Sequence, residues 1–553
     1  MRTSSLALVL PLVVAACTGV IGGDDELAAS GGDGGTGPGN VAPTTVDGQI
    51  VVSPQVVRLT NLAYTNSVRD LFPNVTLPPL TLPAASTSAV YDNDAVVQAP
   101  TSTLIQAYQA NAAAIAQAVV LNLAAVLPCN AAAADDACAT KYLSDVASRA
   151  YRRPLGTDES ARLAAAWQGL RAVNDVPSSL GVVLEGMLQA PAFLYQLEEG
   201  TPVDGKPGLA RLTGNEVATR LATLMWASVP DAALRAVADD GRLLQPEVLD
   251  AQARRLLADP RAHASVAHMQ SQWLRFGLLD TLKKDATMFP GWSDATALAM
   301  KDSTMRFVDH VFWEEGTLAS LFTDTHAFVN DLLAPYYGAA GATGSGLTMV
   351  TVDGAQRGGI LTQAGLLAAF GHERMESPVL RGVFVLDRIL CTPPPPPPAN
   401  VKNTPPAPAT GAGDTSTTRQ RFETLHELGD CAGCHKLIDG VGFGFEHYDA
   451  VGKWRDLEGG KPVDATGNIL GTGEIDGPYD GILQLNAKLA TSQRAAKCIT
   501  KNWLEYGLGI DPSVASDALV APVHAGLGPS PTFHDLLLLV VKSAAFRYRT
   551  VTP

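Results

Sequence analysis

The five residues Cys431-Ala432-Gly433-Cys434-His435 constrain this chain more than any other stretch. A C-x-x-C-H spacing sets two thiols to add to the vinyl groups of one haem while the adjoining imidazole takes an axial position on the iron. The reading is one covalent haem c, with Cys431 and Cys434 on the porphyrin and His435 as proximal iron ligand. A small zinc site is the competing reading. It calls for a second ligand pair, and neither another C-x-x-C nor an H-x-x-x-H follows His435.

The N-terminal residues indicate a compartment in which such a haem is installed. Met1-Arg2 is a basic start, Leu6 to Val14 is an apolar run too short to cross a membrane, and Val14-Ala15-Ala16-Cys17 has the form of a bacterial lipobox. Residues 1–17 therefore read as a lipoprotein signal peptide, with cleavage before Cys17 and lipidation of that residue. Residues 18–50 read as a flexible tether, since Gly22 to Asn40 is Gly- and Asp-rich with almost nothing apolar to bury. The expected location is the cell envelope of a Gram-negative bacterium, at the periplasmic face or the outer membrane. Thr18, where an Asp would retain the protein, favours the outer membrane. No later apolar run is expected to span a bilayer, so the only membrane contact expected is the lipid.

A formal net charge of −15 argues against nucleic acid as a partner. Of the seven cysteines, Cys17 is assigned to lipid and Cys431 and Cys434 to haem. The four that remain, in an oxidising compartment, suggest two disulfides: Cys129 with Cys138 across a short Ala/Asp segment, and Cys391 with Cys498.

Helical periodicity dominates the rest. Thr60 caps a helix through Leu62, Val68, Leu71 and Phe72; Leu104 to Val126 reads as one Ala-rich helix; Tyr142 to Tyr151 is another. Asp158 and Glu159 open a helix, and Thr213 with Glu216 forms a capping box. Further helices are expected over Pro246 to Asp259, Ala262 to Phe276 and Asp294 to Glu315. Strand signals are limited to Thr348 to Val352 and short pieces near Ile469. The unbroken run Pro393 to Pro398, continued by Pro405, Pro406 and Pro408, can be neither helix nor central strand and reads as a stiff strap over 392–408. The fold class is mainly α: a multi-domain helical body with a cytochrome c-like haem segment and a proline-rich strap.

Many separate motifs carry a resemblance. They include Arg58-Leu59-Thr60 with Asn66 to Phe72, Ala150 to Leu155, Ala190 to Tyr195, Trp226 to Asp231, Gln272-Trp273-Leu274, Arg357 to Leu361, Ser377-Pro378-Val379 with Arg381-Gly382, Cys431 to Arg455, and Trp503 to Gly509. Together the chain resembles the planctomycete-type cytochrome c lipoproteins, built from five consecutive domains of unknown function. The resemblance implies a DUF1587-like region over 51–135, DUF1595-like over 136–202, DUF1592-like over 203–340, a DUF1588-like haem c domain over 353–458, and DUF1585-like over 476–550. It implies haem at Cys431, Cys434 and His435. Gly440 stands where the family has Pro, which is expected to loosen the turn after the haem helix.

The sixth iron ligand is open. No Met follows His435, so a distal ligand comes from Met375 or His372 in the Gly371 to Met375 loop, from His447, His524 or His534, or the position is vacant. A closed site passes electrons singly and an open one can bind small molecules and catalyse. No nucleophile elbow, H-E-x-x-H, P-loop or dinucleotide fingerprint occurs. The chain thus reads as an electron-transfer protein with an unidentified redox partner. An envelope protein binding, for example, polysaccharide with an accessory haem module, and a haem enzyme of open coordination, are the alternatives.

Overall fold

The computed structural model describes residues 44–551, apart from 53–55, 87–88, 130–134, 340–343, 397–403, 408–414 and 427–431. The expected signal peptide, Cys17, residues 18–43 of the expected tether, Cys431, and Pro397, Pro398 and Pro408 lie outside the described residues. Residues 44–50, expected as the end of a flexible tether, instead form an antiparallel hairpin, Thr45–Val46 with Gln49–Ile50, that buries Val46.

From Thr44 onward the chain forms one unit built around two large cores. The first is helical. Asn61–Leu71, Ser102–Leu121, Asp136–Ala150, Thr157–Arg171 and Val176–Leu188 bury Tyr64, Val68, Ile115, Leu143, Trp167 and Leu184 among themselves. Thr60 caps the first helix as its sequence indicates, accepting from Ala63 N. The Ala-rich stretch is not one helix. It breaks at Asn122, whose side chain donates to the Ala118 carbonyl, and resumes only for Leu123–Val126.

The helix Ser102–Leu121 is also long and apolar enough to cross a membrane by length and composition, against the expectation that no later run would be. It packs along Val176–Leu188 and turns Leu104, Tyr108, Ile115 and Val119 into the core, as a core helix does.

The second core draws mainly on Leu212 to Phe546, with Val52 and Tyr91 added from the N-terminal part, so the segments expected as three successive domains bury their apolar faces in common. Gly214–Trp226 starts on the Thr213/Glu216 capping box, and Arg261–Trp273, Asp294–His310, Gln493–Leu508 and Phe533–Lys542 complete its helical frame. The helix expected to reach Glu315 is α only to His310 and widens into a π turn over Val311–Glu315. Among the described residues the strands form small antiparallel pieces. The C-terminal Tyr548–Thr550 pairs with Leu209–Arg211, which pairs with Thr201–Pro202. His326–Val329 pairs with Thr348–Thr351, and Thr466–Ile469 with Gly477–Asp480. Pro393 to Pro396 lie outside helix and strand.

The structure pairs Cys129 with Cys138 and Cys391 with Cys498 as disulfides, Cα atoms 6.3 and 5.4 Å apart. The second ties the chain ahead of the proline run to the helix Gln493–Leu508.

Candidate cofactor site

The helix Ala432–Gly442 carries the described part of the C-x-x-C-H motif. Its position is set by close backbone approaches. It crosses Pro378–Phe384 where Gly382 faces the Ile438 carbonyl and Gly442 faces the Pro378 carbonyl, and a Cβ at either glycine would collide with that carbonyl. Arg381, fully buried, extends from the same crossing and donates to the carbonyls of Phe445, Tyr448, Leu367 and Asp449. On the other side the Thr466–Ile469/Gly477–Asp480 hairpin leans in, and Tyr479 donates to the carbonyls of Gly440 and Val441. Gly440 therefore does not loosen a turn. It lies inside the helix, and the Asn468 carbonyl occupies the space its side chain would need.

Cys434 is a free, half-buried thiol, and His435 follows it on the first turn with 24% of its side chain exposed. One turn on, Asp439 sits with Oδ1 3.4 Å from His435 Nδ1 and Oδ2 2.6 Å from His426 Nδ1. The two imidazoles stack, ring centroids 3.4 Å apart. Burial works to raise the Asp439 value, but the hydrogen bonds from His426 and His435 outweigh it and hold the carboxyl below the usual aspartate range. With Nδ1 of each ring directed at one carboxylate, Nε2 is the nitrogen left for an outside ligand.

His426, His435 and Asp439 line a cleft of about 580 Å³, with Phe443 as an apolar wall and Arg419 and Lys436 as cations. The Arg419 guanidinium lies 4.6 Å from the Phe443 ring centre and is anchored by Glu423 and the Thr466 carbonyl. The donor set fits the thioether and proximal side of haem c: the Cys434 thiol neighbours His435 on one helical turn, that imidazole lines a cleft of ligand-binding size, and a carboxylate stands at its Nδ1.

The distal candidates lie elsewhere. Met375 is buried against Phe422 and Phe443, behind the apolar wall rather than in the cleft. His372 is half-buried, its backbone N–H bonded to the Met375 carbonyl, and burial and the nearby Lys284 lower its value. His447 stacks flat on Trp454, centroids 4.3 Å apart, with Nδ1 at the Arg455 carbonyl. His524 faces Gln493, and His534 packs edge-on to Phe312 and Trp313. The histidine that does line the cleft, His426, was no candidate from sequence, although its H-x-x-x-x-C spacing to Cys431 is a usable signal. The sequence pairs Arg152-Arg153 and Arg254-Arg255 are not among the cleft's lining: Arg152 bonds four backbone carbonyls around Phe193, Arg153 pairs with Glu159, Arg254 with Asp250, and Arg255 with Asp231.

Next to Met375 a charged network is buried. Arg455 bonds Glu376 at 2.5 Å and faces Glu458 at 3.2 Å and Glu446 at 3.6 Å. Burial raises both buried carboxyls, yet the Arg455 charge outweighs it at Glu376, whose value falls. Glu446, beside the Glu376 charge, is pushed up instead. The guanidinium takes the place a metal ion would need among these three acids.

Four family models match the chain in order: PSD3, a protein of unknown function (DUF1587), over residues 58–121; PSD5 (DUF1595) over 138–198; PSD4 (DUF1592) over 212–339; and PSCyt3 (DUF1588) over 357–458, which contains the cleft helix. DUF1585, expected over 476–550, has no matching model. No curated protein and no solved structure matches the chain. The ordered series of matches, on a mainly helical body, shows that the chain belongs to the family with the planctomycete cytochrome-type architecture of DUF1587, DUF1595, DUF1592 and DUF1588 domains.

Proposed function

We propose that this protein is a lipid-anchored c-type cytochrome of the cell envelope, holding one covalent haem through Cys431 and Cys434 with His435 on the iron, and passing electrons singly to an unidentified partner. The observation that carries the reading is the placement of Cys434 and His435 on one turn beside the cleft, with Asp439 at the His435 Nδ1. When bound, the haem supplies one-electron redox chemistry. The chain's own residues do the rest. Asp439 holds the Nδ1 proton and leaves Nε2 basic; Phe443 keeps water from one wall; Arg419 and Lys436 bring positive charge to a site suited to acidic substituents. Cys17 supplies the anchor.

A second reading rests on the stacked imidazoles. His426, His435 and Asp439 each offer a ligand atom within 4.8 Å of the others, a donor set for a zinc-like ion in place of haem. The polysaccharide alternative has no comparable support: among the described residues no Trp, Tyr or Phe is exposed, so no aromatic platform is presented.

The test is an absorption spectrum of the mature chain made in a host with cytochrome c maturation, oxidised and reduced, with and without carbon monoxide. Covalent haem that is lost in Cys434→Ser supports the proposal. An unchanged spectrum under carbon monoxide means a six-coordinate carrier, whereas carbon monoxide binding means an open site and a catalytic role. A haem-free chain carrying zinc overturns the proposal in favour of the second reading. For the anchor, labelled fatty acid is expected in the wild type and absent from Cys17→Ser.

A further inference from the structure

A second cluster of ligating side chains lies in the part of the body matched by DUF1592 and shares no residue with the haem cleft. His310 ends the helix Asp294–His310, immediately before the π turn, and His326 opens the strand His326–Val329. Asp324 lies between them in space. Its Oδ1 accepts from the His326 backbone N–H at 2.9 Å, which locks the carboxylate beside the His326 ring, and its two oxygens stand 3.1 and 3.2 Å from His326 Nδ1. From the other side His310 Nε2 approaches Oδ2 to 3.9 Å, beyond hydrogen-bond length. The two rings meet edge to face with centroids 5.2 Å apart.

We propose that His310 Nε2, His326 Nδ1 and Asp324 bind one divalent transition-metal ion of the zinc class, with a water in the remaining position. Ligand atoms 2.0–2.2 Å from a tetrahedral zinc stand roughly 3–4 Å from one another, the spacing found here. Glu314 Oε2 lies 3.1 Å from His310 Nδ1 as a charge contact, and Nε2 is the nitrogen that faces Asp324. The carboxylates of Asp324 and Glu314 balance a charge of two. Two imidazoles and one carboxylate select zinc, ferrous or similar ions over calcium and magnesium. Access is provided by the half-exposed His326, since the His310 and Asp324 side chains are only 5% and 6% exposed.

The test uses the full mature, untagged chain, stripped with a chelator and titrated with zinc, read by calorimetry and by bound zinc per chain. The wild type is expected to bind one zinc that His326→Gln does not bind. Glu314→Gln, which keeps all three ligands, is expected to bind about tenfold more weakly. His426→Gln is expected to retain this zinc, which separates the site from the haem cleft and keeps the outcome independent of the haem reading. Asp324→Asn is a second ligand variant, and unchanged metal-free melting curves show that either variant is folded. Equal zinc binding by the wild type and His326→Gln, or no zinc binding by the wild type, overturns the proposal.

Discussion

His426 lies face to face with His435, ring planes 27° apart, and the two imidazoles reach the opposite oxygens of Asp439. Stacked in this way they cannot take the two opposite axial positions of one iron. On the proposed haem reading, with His435 on the iron, the role left to His426 is to share the Asp439 carboxylate with that imidazole.

Asp439→Asn removes that anionic partner. An imidazole whose Nδ1–H faces a carboxylate is more basic and favours the oxidised, more positive iron. The variant is expected to keep its covalent haem and to show a midpoint potential raised by about 59 mV for each tenfold loss of preference for the oxidised state. Spectroelectrochemical titration of the two proteins at one pH checks this; an unchanged potential removes Asp439 from the role.

The crossing that holds the Ala432–Gly442 helix gives a second prediction. Gly382→Ala and Gly442→Ala each drive a methyl into a backbone carbonyl of the opposing helix, and are expected to cost about 1–3 kcal/mol in thermal unfolding and to lower haem content. Gly433→Ala, whose Cβ meets nothing within 4 Å, is the control and is expected to be neutral in stability. Equal melting temperatures for all three would show that the helices separate freely at this point.

That crossing also marks the limit of what sequence discloses. Caps and periodic faces are local, so Thr60, the Thr213/Glu216 box and the strand at Thr348 are legible without a structure. The break at Asn122 is not, because one side chain competing for a backbone carbonyl leaves the apolar pattern unchanged. The C-x-x-C-H motif is legible because its chemistry needs fixed spacing. His426 is legible only through its spacing to Cys431, because it ends a different helix, Thr418–His426, and meets Asp439 by tertiary packing. The need for Gly440 likewise arises from the Asn468 carbonyl, which is distant in sequence.

Glu505, on the helix Gln493–Leu508, gives a pH prediction. Burial is the main cause that pushes its carboxyl up to about 7 from 4.5, with Lys501 at 3.6 Å opposing. Between those values the folded chain keeps a proton that the unfolded chain has released. The group's stabilising contribution is therefore full below pH 4.5 and is lost as pH rises through about 7. Glu505→Gln keeps the shape without the titration. It is expected to gain on the order of 2 kcal/mol relative to the wild type between pH 5 and pH 8. Denaturant unfolding of both proteins at the two pH values measures the difference, and parallel pH profiles would refute the assignment.

The two disulfides are expected to differ in weight. Cys129–Cys138 closes a separation of 9 residues and Cys391–Cys498 one of 107, which encloses the C-x-x-C-H motif. On the chain-entropy argument the longer loop restrains the unfolded state by about 2 kcal/mol more than the shorter one, about 4.7 kcal/mol in all for a loop near 100 residues. A Cys391→Ser/Cys498→Ser variant should therefore unfold at lower denaturant than Cys129→Ser/Cys138→Ser. Its haem spectrum should be unchanged, because the cleft helix is held by the glycine crossing and by Arg381 rather than by the disulfide. If the spectrum changes along with the stability, the Cys391–Cys498 bond also positions the cleft, and the rigid frame extends from the Pro378–Phe384 helix to the C-terminal helices.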